Sequence, residues 1–475
     1  MRSPVLAFVC WLIAISADAQ TPEPKPPVDG EPRVHPINLA TALQLAHARP
    51  IDVQVAARQA EAAAAVFDRA KYSWLPSVYV GADYLRHDGA VQNFQGQILN
   101  ANRNSLMGGF GANAVFSVSD GIFAPLAARQ DLKARETMQL AVANDISLSV
   151  AEAYFSVQQA RGELTVALQI VTDAIELVRR TEQLAEGLAP PLEATRARVE
   201  LARRKQAVAA SRERLMTASA ELARLLRLDA GVVIEPIEPA NMPVTLIDKT
   251  YTIDDLIPVA LTTRPELAAN QAFVLATLRR LEQERLRPLV PSVLIRSIST
   301  NPSGTLGYGV FAGGSGNRVG SASSRLDYDI QLVWEFQNLG LGNRARSAER
   351  KAEHEIAILE QFRTQDRVAA EVAKAFAEVN AAAERMKEAE PAFKDATDLV
   401  KKSMEAMTQT RRVGNIITLV VRPQEVVAAV QALGQSNSDY FAAVADYNRS
   451  QFRLYRALGH SSKCLSGLVP TVEDP

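Results

Sequence analysis

Apolar residues recur along this chain with two different periods. From Ile146 the series Val150, Ala153, Val157, Ala160, Leu164, Ala167, Val171, Ala174 and Val178 advances by alternating steps of four and three. That heptad spacing keeps one seam of a helix against a neighbour and winds the pair into a left-handed supercoil. Ile170, Leu177 and Leu184 add a second stripe, and Leu201, Val208, Leu215 and Leu222 carry the period into the next helix. A helix with two seams packs on two neighbours, as the wall of a ring or tube requires. Read from Ile122 to Glu186, the first long helix would extend about 95 Å at about 1.5 Å per residue. Its counterpart runs from about Arg344 to Arg412.

The second period is two. Leu326, Tyr328, Ile330, Leu332, Trp334 and Phe336 alternate with Asp327, Asp329, Gln331, Val333, Glu335 and Gln337. Leu106, Phe110, Ala112, Ala114, Phe116 and Val118 alternate with residues that include Ser105, Asn113 and Ser117, and Val78, Val80, Ala82 and Tyr84 do so more briefly. The stretch after Pro291 is mixed. Alternation over about ten residues with aromatics near the ends suits a transmembrane barrel strand. A half-buried antiparallel sheet alternates in the same way.

The chain also repeats itself. Arg49-Pro50 opens an Ala-rich helical run that ends at Leu75-Pro76-Ser77-Val78, and Arg264-Pro265 opens another that ends at Val290-Pro291-Ser292-Val293. A constant internal offset marks a duplicated unit. Residues 37–228 and 251–459 are read as two tandem copies of helix, two strands and a long helical hairpin, turning near 187–190 and 413–416. Residues 229–250 are the linker and 460–475 a tail. Met1 to Ala19, with Arg2, an apolar run and Ala17-Asp18-Ala19, has the pattern of a cleavable signal peptide, and residues 20–36 form a Pro-rich leader.

An exported chain without a long apolar helical segment enters a membrane only as a closed β-barrel. Two strands per copy give four per chain, too few to close around water. Two chains would give eight strands and three would give twelve. The membrane reading therefore demands an oligomer and leaves its size open.

Composition removes other classes. Lys and Arg number 52 against 53 Asp and Glu, so no basic excess exists to bind nucleic acid. Hydrophobic residues are 47% of the chain but aromatics only 6%, as suits closely packed Ala- and Leu-rich helices. Cys10 and Cys464 make no thiolate metal site, and the histidines are scattered: His354-Glu355 is followed by Ile358 where a second ligand would stand. The stretch from Gly304 to Gly320 lacks a phosphate-loop signature and is read as a loop between strands. No catalytic constellation, cofactor site or metal site is expected.

Trp334-Glu335-Phe336-Gln337-Asn338-Leu339-Gly340-Leu341-Gly342, with Ser119-Asp120-Gly121 at the matching place in the first copy, resembles the strand-to-helix junctions of the TolC family of outer-membrane efflux proteins. Ala445-Asp446-Tyr447-Asn448 and Tyr455-Arg456-Ala457-Leu458-Gly459 are similar to that family's C-terminal signature, and Gly187-Leu188-Ala189-Pro190 and Val413-Gly414-Asn415-Ile416 to its helical turns. The resemblance implies a mixed fold of coiled-coil helices and transmembrane β-strands. It implies a homotrimer with a twelve-stranded barrel in outer-membrane lipid and a periplasmic α-helical tube, working with a periplasmic adaptor and an inner-membrane pump and doing no chemistry. Drug or metal efflux and type I protein secretion are both open as cargo classes, and a secreted coiled-coil scaffold is the alternative outside transport.

Three positions depart from the family pattern. The aspartates that often follow the second turn are replaced by Thr418-Leu419-Val420-Val421-Arg422-Pro423. The stretch from Gly414 to Leu458 is about five residues longer than that from Gly187 to Leu226, with Pro423 placed to restart a helix. Arg227 stands where a glycine is usual.

The turns are the expected functional region, because a helical tube narrows or opens where its helices reverse. Candidates for the gate and adaptor contact are Glu182, Glu186, Gly187 and Glu193 at the first turn and Arg411, Arg412, Gly414, Asn415 and Arg422 at the second. Opposite charges there suggest ion pairs that hold the mouth shut. Asp327, Asp329 and Glu335 are barrel-lumen candidates, and Tyr328, Trp334 and Phe336 are candidates for the membrane girdle.

Overall fold

Proline sets the start of the helices that follow a reversal. Pro191, Pro265 and Pro423 each occupy a first helical position, and Pro50 caps the helix that begins at Ile51. Its fixed φ suits that site, and its missing N–H costs nothing there. The structure, a computed structural model, describes residues 33–185, 189–229, 231–297, 306–413 and 416–460. The signal segment, most of the leader, the tail beyond His460, and Glu186, Gly187, Gly414 and Asn415 lie outside the described residues.

The first copy runs β1 (Arg33–Ile37), α1 (Leu39–Ala48), α2 (Ile51–Lys71), β2 (Ser77–Gln92), β3 (Ile98–Ser117), α3 (Val118–Ala185), α4 (Pro191–Leu226) and β4 (Val232–Pro236). The second runs α5 (Ile253–Thr263), α6 (Pro265–Leu286), β5 (Ser292–Arg296), β6 (Tyr308–Gly314), β7 (Ser321–Leu326), β8 (Asp329–Val333), α7 (Leu341–Ala406), β9 (Thr410–Val413), β10 (Ile416–Leu419) and α8 (Pro423–Ala457). At about 1.5 Å per residue α3 is about 100 Å long. The heptad positions Val150, Ala153, Val157, Ala160, Ala167 and Ala174 are all buried along it, and Ile170 and Leu177 bury the second stripe.

In the sheet-proximal half the helices lie in the order α2, α3, α6, α7; in the distal half α4 and α8 take the places of α2 and α6. The end of α8 meets the start of α6, where Gly459 packs on the Arg264 backbone. Around this equator one face of the helices is covered by the connecting segments. β1 pairs in parallel with β4, from Arg33 opposite Val232 to Ile37 opposite Pro236. Residues 33–36 of the leader and 232–236 of the linker, read from sequence as extended chain, are therefore a small sheet. The signature residues of α8 hold the rest of the linker. Asn448 accepts from the Val244 N–H at 2.7 Å and donates to the Met242 carbonyl at 3.0 Å, and Gln451 accepts from the Leu246 and Ile247 N–H groups. Both side chains are fully buried, so these bonds satisfy them.

β2 pairs with β3 along its whole length, from Ser77 opposite Asn113 to Gln92 opposite Ile98. The other edge of β3 holds β5 and β6 end to end, and these in turn pair with β8 and β7. Arg296 lies opposite Asn113 while Tyr308 lies opposite Phe110, so β5 and β6, though eleven residues apart in sequence, continue one another along that edge. The break between β5 and β6 explains the mixed pattern after Pro291. The sheet is thus four long strands in meander order. Part of the Gly-rich stretch read as loop is strand: β6 occupies Tyr308–Gly314, and the turn is confined to residues 315–320. Glycine is what allows it, since a Cβ on Gly109 would lie 2.0 Å from the Tyr308 carbonyl oxygen, and Gly309 holds φ 148°.

The second hairpin differs most from expectation. α7 stops at Ala406, and β9 and β10 form an antiparallel ribbon with Thr410 opposite Leu419, so Arg411 and Arg412 sit on a strand rather than a helix. Thr410, Val413, Ile416, Ile417 and Thr418 are β-branched, which favours strand over helix. The ribbon absorbs the extra length of this half, and Pro423 restarts the helix. Arg227 caps α4 in the left-handed conformation at φ 53°, which in the second copy falls to Gly459, just past the C-cap of α8, at φ 78°, a strain of about 1 kcal/mol for a residue with a Cβ.

Candidate functional site: a two-faced sheet and a helical mouth

The strand register sorts the sheet into two faces. Val80, Phe110, Tyr308 and Leu326 lie in one row across four strands, Ala114, Ile295 and Ile330 in another, and Phe116, Val293 and Leu332 in a third. Residues two apart along a strand share a face, so these rows and Tyr84, Leu106 and Val310 make one apolar surface. It is open: Val80 is 83% exposed and Val310 58%. The Phe110 and Tyr308 rings meet at 4.7 Å on it. The alternate residues, Asp83, Ser105, Asn113, Arg296, Ser323, Arg325, Asp329 and Gln331, give the other face its polar character. An open apolar face of this extent backed by a polar one is what a lipid-facing barrel wall needs. No described helix is long and apolar enough to cross a membrane.

Each lumen candidate has a partner. Asp327 pairs with Arg325 at 2.7 Å and Asp329 with Arg296 at 3.0 Å, and Arg325 also lies over the Phe311 ring. Glu335, just past β8, accepts from the Gln337 amide at 2.8 Å. These arginines were not singled out from sequence. Arg325-Leu326-Asp327 carried a signal, since residues two apart on a strand share a face. The girdle candidates Tyr328, Trp334 and Phe336 are all exposed, the last two directly after β8.

At the far end of the long helices, Glu182 meets Arg198 of α4 at 3.3 Å. Glu193, buried, meets Arg196 at 2.7 Å, and Arg196 also donates to Gln424 at the start of α8. Arg180 donates to the Met404 carbonyl at 2.7 Å and so ties α3 to the end of α7. Arg179 and Arg180 both grip Glu176 and hold its carboxyl down at about 2. The first-turn acids are thus engaged by arginines of their own hairpin, a pairing that the i,i+3 spacing of Glu193 and Arg196 foreshadowed. Arg411, Arg412 and Arg422 are exposed on the neighbouring ribbon and helix start.

A helical wall continued at one end by a two-faced, four-stranded sheet is the architecture these elements build. Residues 42–226 match the family described as outer membrane efflux protein. The fold is similar to that of a membrane protein from Pseudomonas aeruginosa, with a TM-score of 0.71 and 17% identity over 89% of this chain and 90% of that one. It is similar to the outer-membrane channel OprN, with a TM-score of 0.68 and 20% identity over 90% of each chain. VceC from Vibrio cholerae gives a TM-score of 0.68 at 15% identity, over 89% of this chain and 96% of that one. No curated protein matches the chain by sequence. The family match and the shared fold bear out the resemblance to the TolC family of outer-membrane efflux proteins.

Proposed function

We propose that three copies of this chain close into a duct through the outer membrane, with the helical tube in the periplasm. The duct passively conducts cargo delivered by an inner-membrane pump and a periplasmic adaptor. The observation that carries the reading is the coincidence of open flanks. The strand order β2, β3, β5–β6, β7–β8 matches the helix order α2, α3, α6, α7, so each chain is a curtain with one flank at β2 and α2 and the other at β7–β8 and α7. Both flanks expose apolar residues, Ile51, Val55 and Val66 on α2 and Ile356, Leu359 and Phe362 on α7. Unpaired strand edges are not tolerated in lipid. Joining the first flank of one copy to the last flank of the next is a heterologous contact, which closes as a ring. A soluble scaffold has no use for the open apolar face. The native mass of detergent-extracted protein from the outer-membrane fraction tests this: three chains per particle are expected, and a soluble monomer or dimer would overturn the duct.

The periplasmic mouth is the proposed point of control. Arg411 and Arg412 on the β9–β10 ribbon and Arg422 at the start of α8, where Gln424 accepts from Arg196 of the first hairpin, give that end a cluster of exposed cations, whose charge contacts with neighbouring copies favour a closed mouth that a docking adaptor exchanges for its own. Replacing Arg411 and Arg412 together with alanine is expected to raise single-channel conductance several-fold in planar bilayers. Unchanged conductance would remove these two residues from the gate.

A further inference from the structure

β2 and β3 run on past the rest of the sheet. Asn104 opposite Gly314 is the last pairing of β3 with β6, and the turn after β6 grips the hairpin just above it. There Asn102 accepts from the Gly316 N–H at 2.9 Å, Asn104 donates to the Gly316 carbonyl at 2.9 Å, and Arg86 donates to Asn317 at 2.8 Å. Beyond that buttress β2 and β3 stand alone as a ribbon, paired from Gly89 opposite Ala101 to Gln92 opposite Ile98. Its first residue, Gly89, holds φ 135°, and a Cβ there would meet nothing, so glycine serves the backbone conformation rather than space. The tip is a firm turn. The Asn93 side chain accepts from the N–H groups of Gln95 and Gln97, the Asn93 N–H donates to the Gln97 carbonyl, and the Asn93 carbonyl accepts from Gly96. This turn leaves the Phe94 ring fully exposed.

The two sides of the hairpin exchange character at the same level. On the face that carries Val80, Phe110, Tyr84 and Leu106, the apolar row ends at Arg86 and Asn104. Polar residues follow (Asp88, Asn102, Asn100, Gln92), broken only by Ala90 and by Ile98 beside the turn. On the opposite face, which carries Asp83 and Ser105 lower down, the row past His87 and Arg103 is Gly89, Ala101, Val91 and Leu99, none of them polar. Leu99 is 53% exposed. A ribbon leaning outward over the membrane would press Asp88 and the asparagines onto it and turn Val91 and Leu99 up into water. Leaning inward takes the apolar side out of water and leaves the polar side in it, which is the favourable direction.

We propose that in the assembled channel the three ribbons bend inward at Gly89 and meet over the axis through Val91, Phe94 and Leu99, forming an apolar screen at the outer mouth. The proposal rests on the duct reading above. The reach is sufficient. Twelve strands about 4.8 Å apart and tilted by about 40° enclose a barrel of about 12 Å radius. The paired part of the ribbon, from Gly89 to Gln92, spans about 13 Å before the turn is added. β2 is the flank strand of each copy, so the ribbons rise at the three joints between copies, evenly spaced around the rim. Two strands from each copy cover half of a twelve-stranded rim, so water and ions pass between the ribbons while a bulky solute has to part them.

Two measurements on whole cells test it, both in a Cys464→Ser background, where the introduced thiol and Cys10 of the signal segment are the only cysteines. Phe94 is fully exposed, so replacing it leaves the packing of the single chain intact. Phe94→Cys is expected to link more than half of the chains into disulfide-bonded dimers on mild oxidation, and Asn100→Cys, on the polar side, to link at least five-fold fewer. In the second measurement Ser323→Cys places a thiol on the inner wall of the barrel. A small charged maleimide added outside is expected to label it equally fast whether the ribbon is unaltered or carries Phe94→Ser with Leu99→Asn. A maleimide on a polyethylene glycol chain of about 1 kDa is expected to label the protein with the altered ribbon at least five-fold faster. Absent linkage at 94, equal linkage at 94 and 100, or a bulky reagent indifferent to the ribbon, in a protein that extracts as three chains per particle, overturns the screen and leaves the duct. A soluble monomer or dimer overturns the duct, and the screen with it.

Discussion

Arginine in place of Val310 is expected to keep this chain out of the outer membrane, whereas arginine in place of Ser323 is expected to leave insertion within about two-fold of the unaltered protein. The two positions lie on adjacent strands of the same sheet. Val310 shares a row with Ala82, Gly108 and Ser324 on the apolar face, and Ser323 shares one with Asp83, Met107 and Phe311 on the other. A charged side chain on the lipid face near the bilayer midplane costs about 2–4 kcal/mol, and little on the lumen face. With three chains sharing the barrel, as proposed, the cost per assembled channel is about 6–12 kcal/mol. Even the single-chain figure lowers the ratio of inserted to uninserted protein by about 30-fold. Quantifying each variant in the outer-membrane fraction decides the matter. Equal insertion of both variants would mean that the exposed face is not the lipid face.

The alternation of β2, β3 and β8 was legible from the sequence because it is local, whereas Val310 lay in the Gly-rich stretch read as a loop. Within each of those strands the apolar face is written as i, i+2 spacing, and folding only sets the strands beside one another. The heptad seams are local in the same sense, and so are the helix starts at Pro50, Pro265 and Pro423. What failed to show was whatever depended on residues far apart. The pairing of β1 with β4 joins positions about two hundred residues apart and gives a polar, Pro-rich segment a partner that no short window contains. The interruption between β5 and β6 broke the alternation that would have revealed a second long strand. The β9–β10 ribbon was hidden for another reason, since Thr410 to Arg412 were read as the end of the long helix and 413–416 as its turn.

The charged positions show the limit most clearly. Asp145, Glu266, Glu371 and Arg456 each sit on a different helix, and taken singly each is an ordinary surface charge. Only the lateral order α3, α8, α7, with the start of α6 against the end of α8, brings them together. The gate candidates show a different limit. Glu182 and Glu193 were paired by sign with the arginines of the other turn, while the structure gives them Arg198 and Arg196, whose nearness within one hairpin lowers the entropy of pairing.

The buried pair of Glu200 and Arg204 carries the second large effect, on the stability of the tube rather than on insertion. Glu200 is 1% exposed, accepts from Arg204 Nε at 2.5 Å and takes a second bond from the Gln431 amide of α8 at 2.8 Å. Gly434, one turn along α8, leaves the space the guanidinium fills: a Cβ there would lie 2.0 Å from an Arg204 nitrogen. The pair thus pins α4 against α8 at a place where a larger residue would hold the helices apart. Glu200→Ala leaves a desolvated guanidinium and an unanswered amide, an error of about 3–5 kcal/mol. It is expected to lower the denaturant midpoint for loss of helical circular dichroism clearly, with outer-membrane insertion unaffected. Replacing Glu200 and Arg204 together with methionine removes both charges while keeping most of the volume, and is expected to recover most of that loss, because a buried ion pair exchanged for apolar packing is often neutral. A double variant as unstable as Glu200→Ala would show that the contact acts through the shape of the two side chains, and an undisturbed midpoint in Glu200→Ala would show that α4 and α8 are held elsewhere.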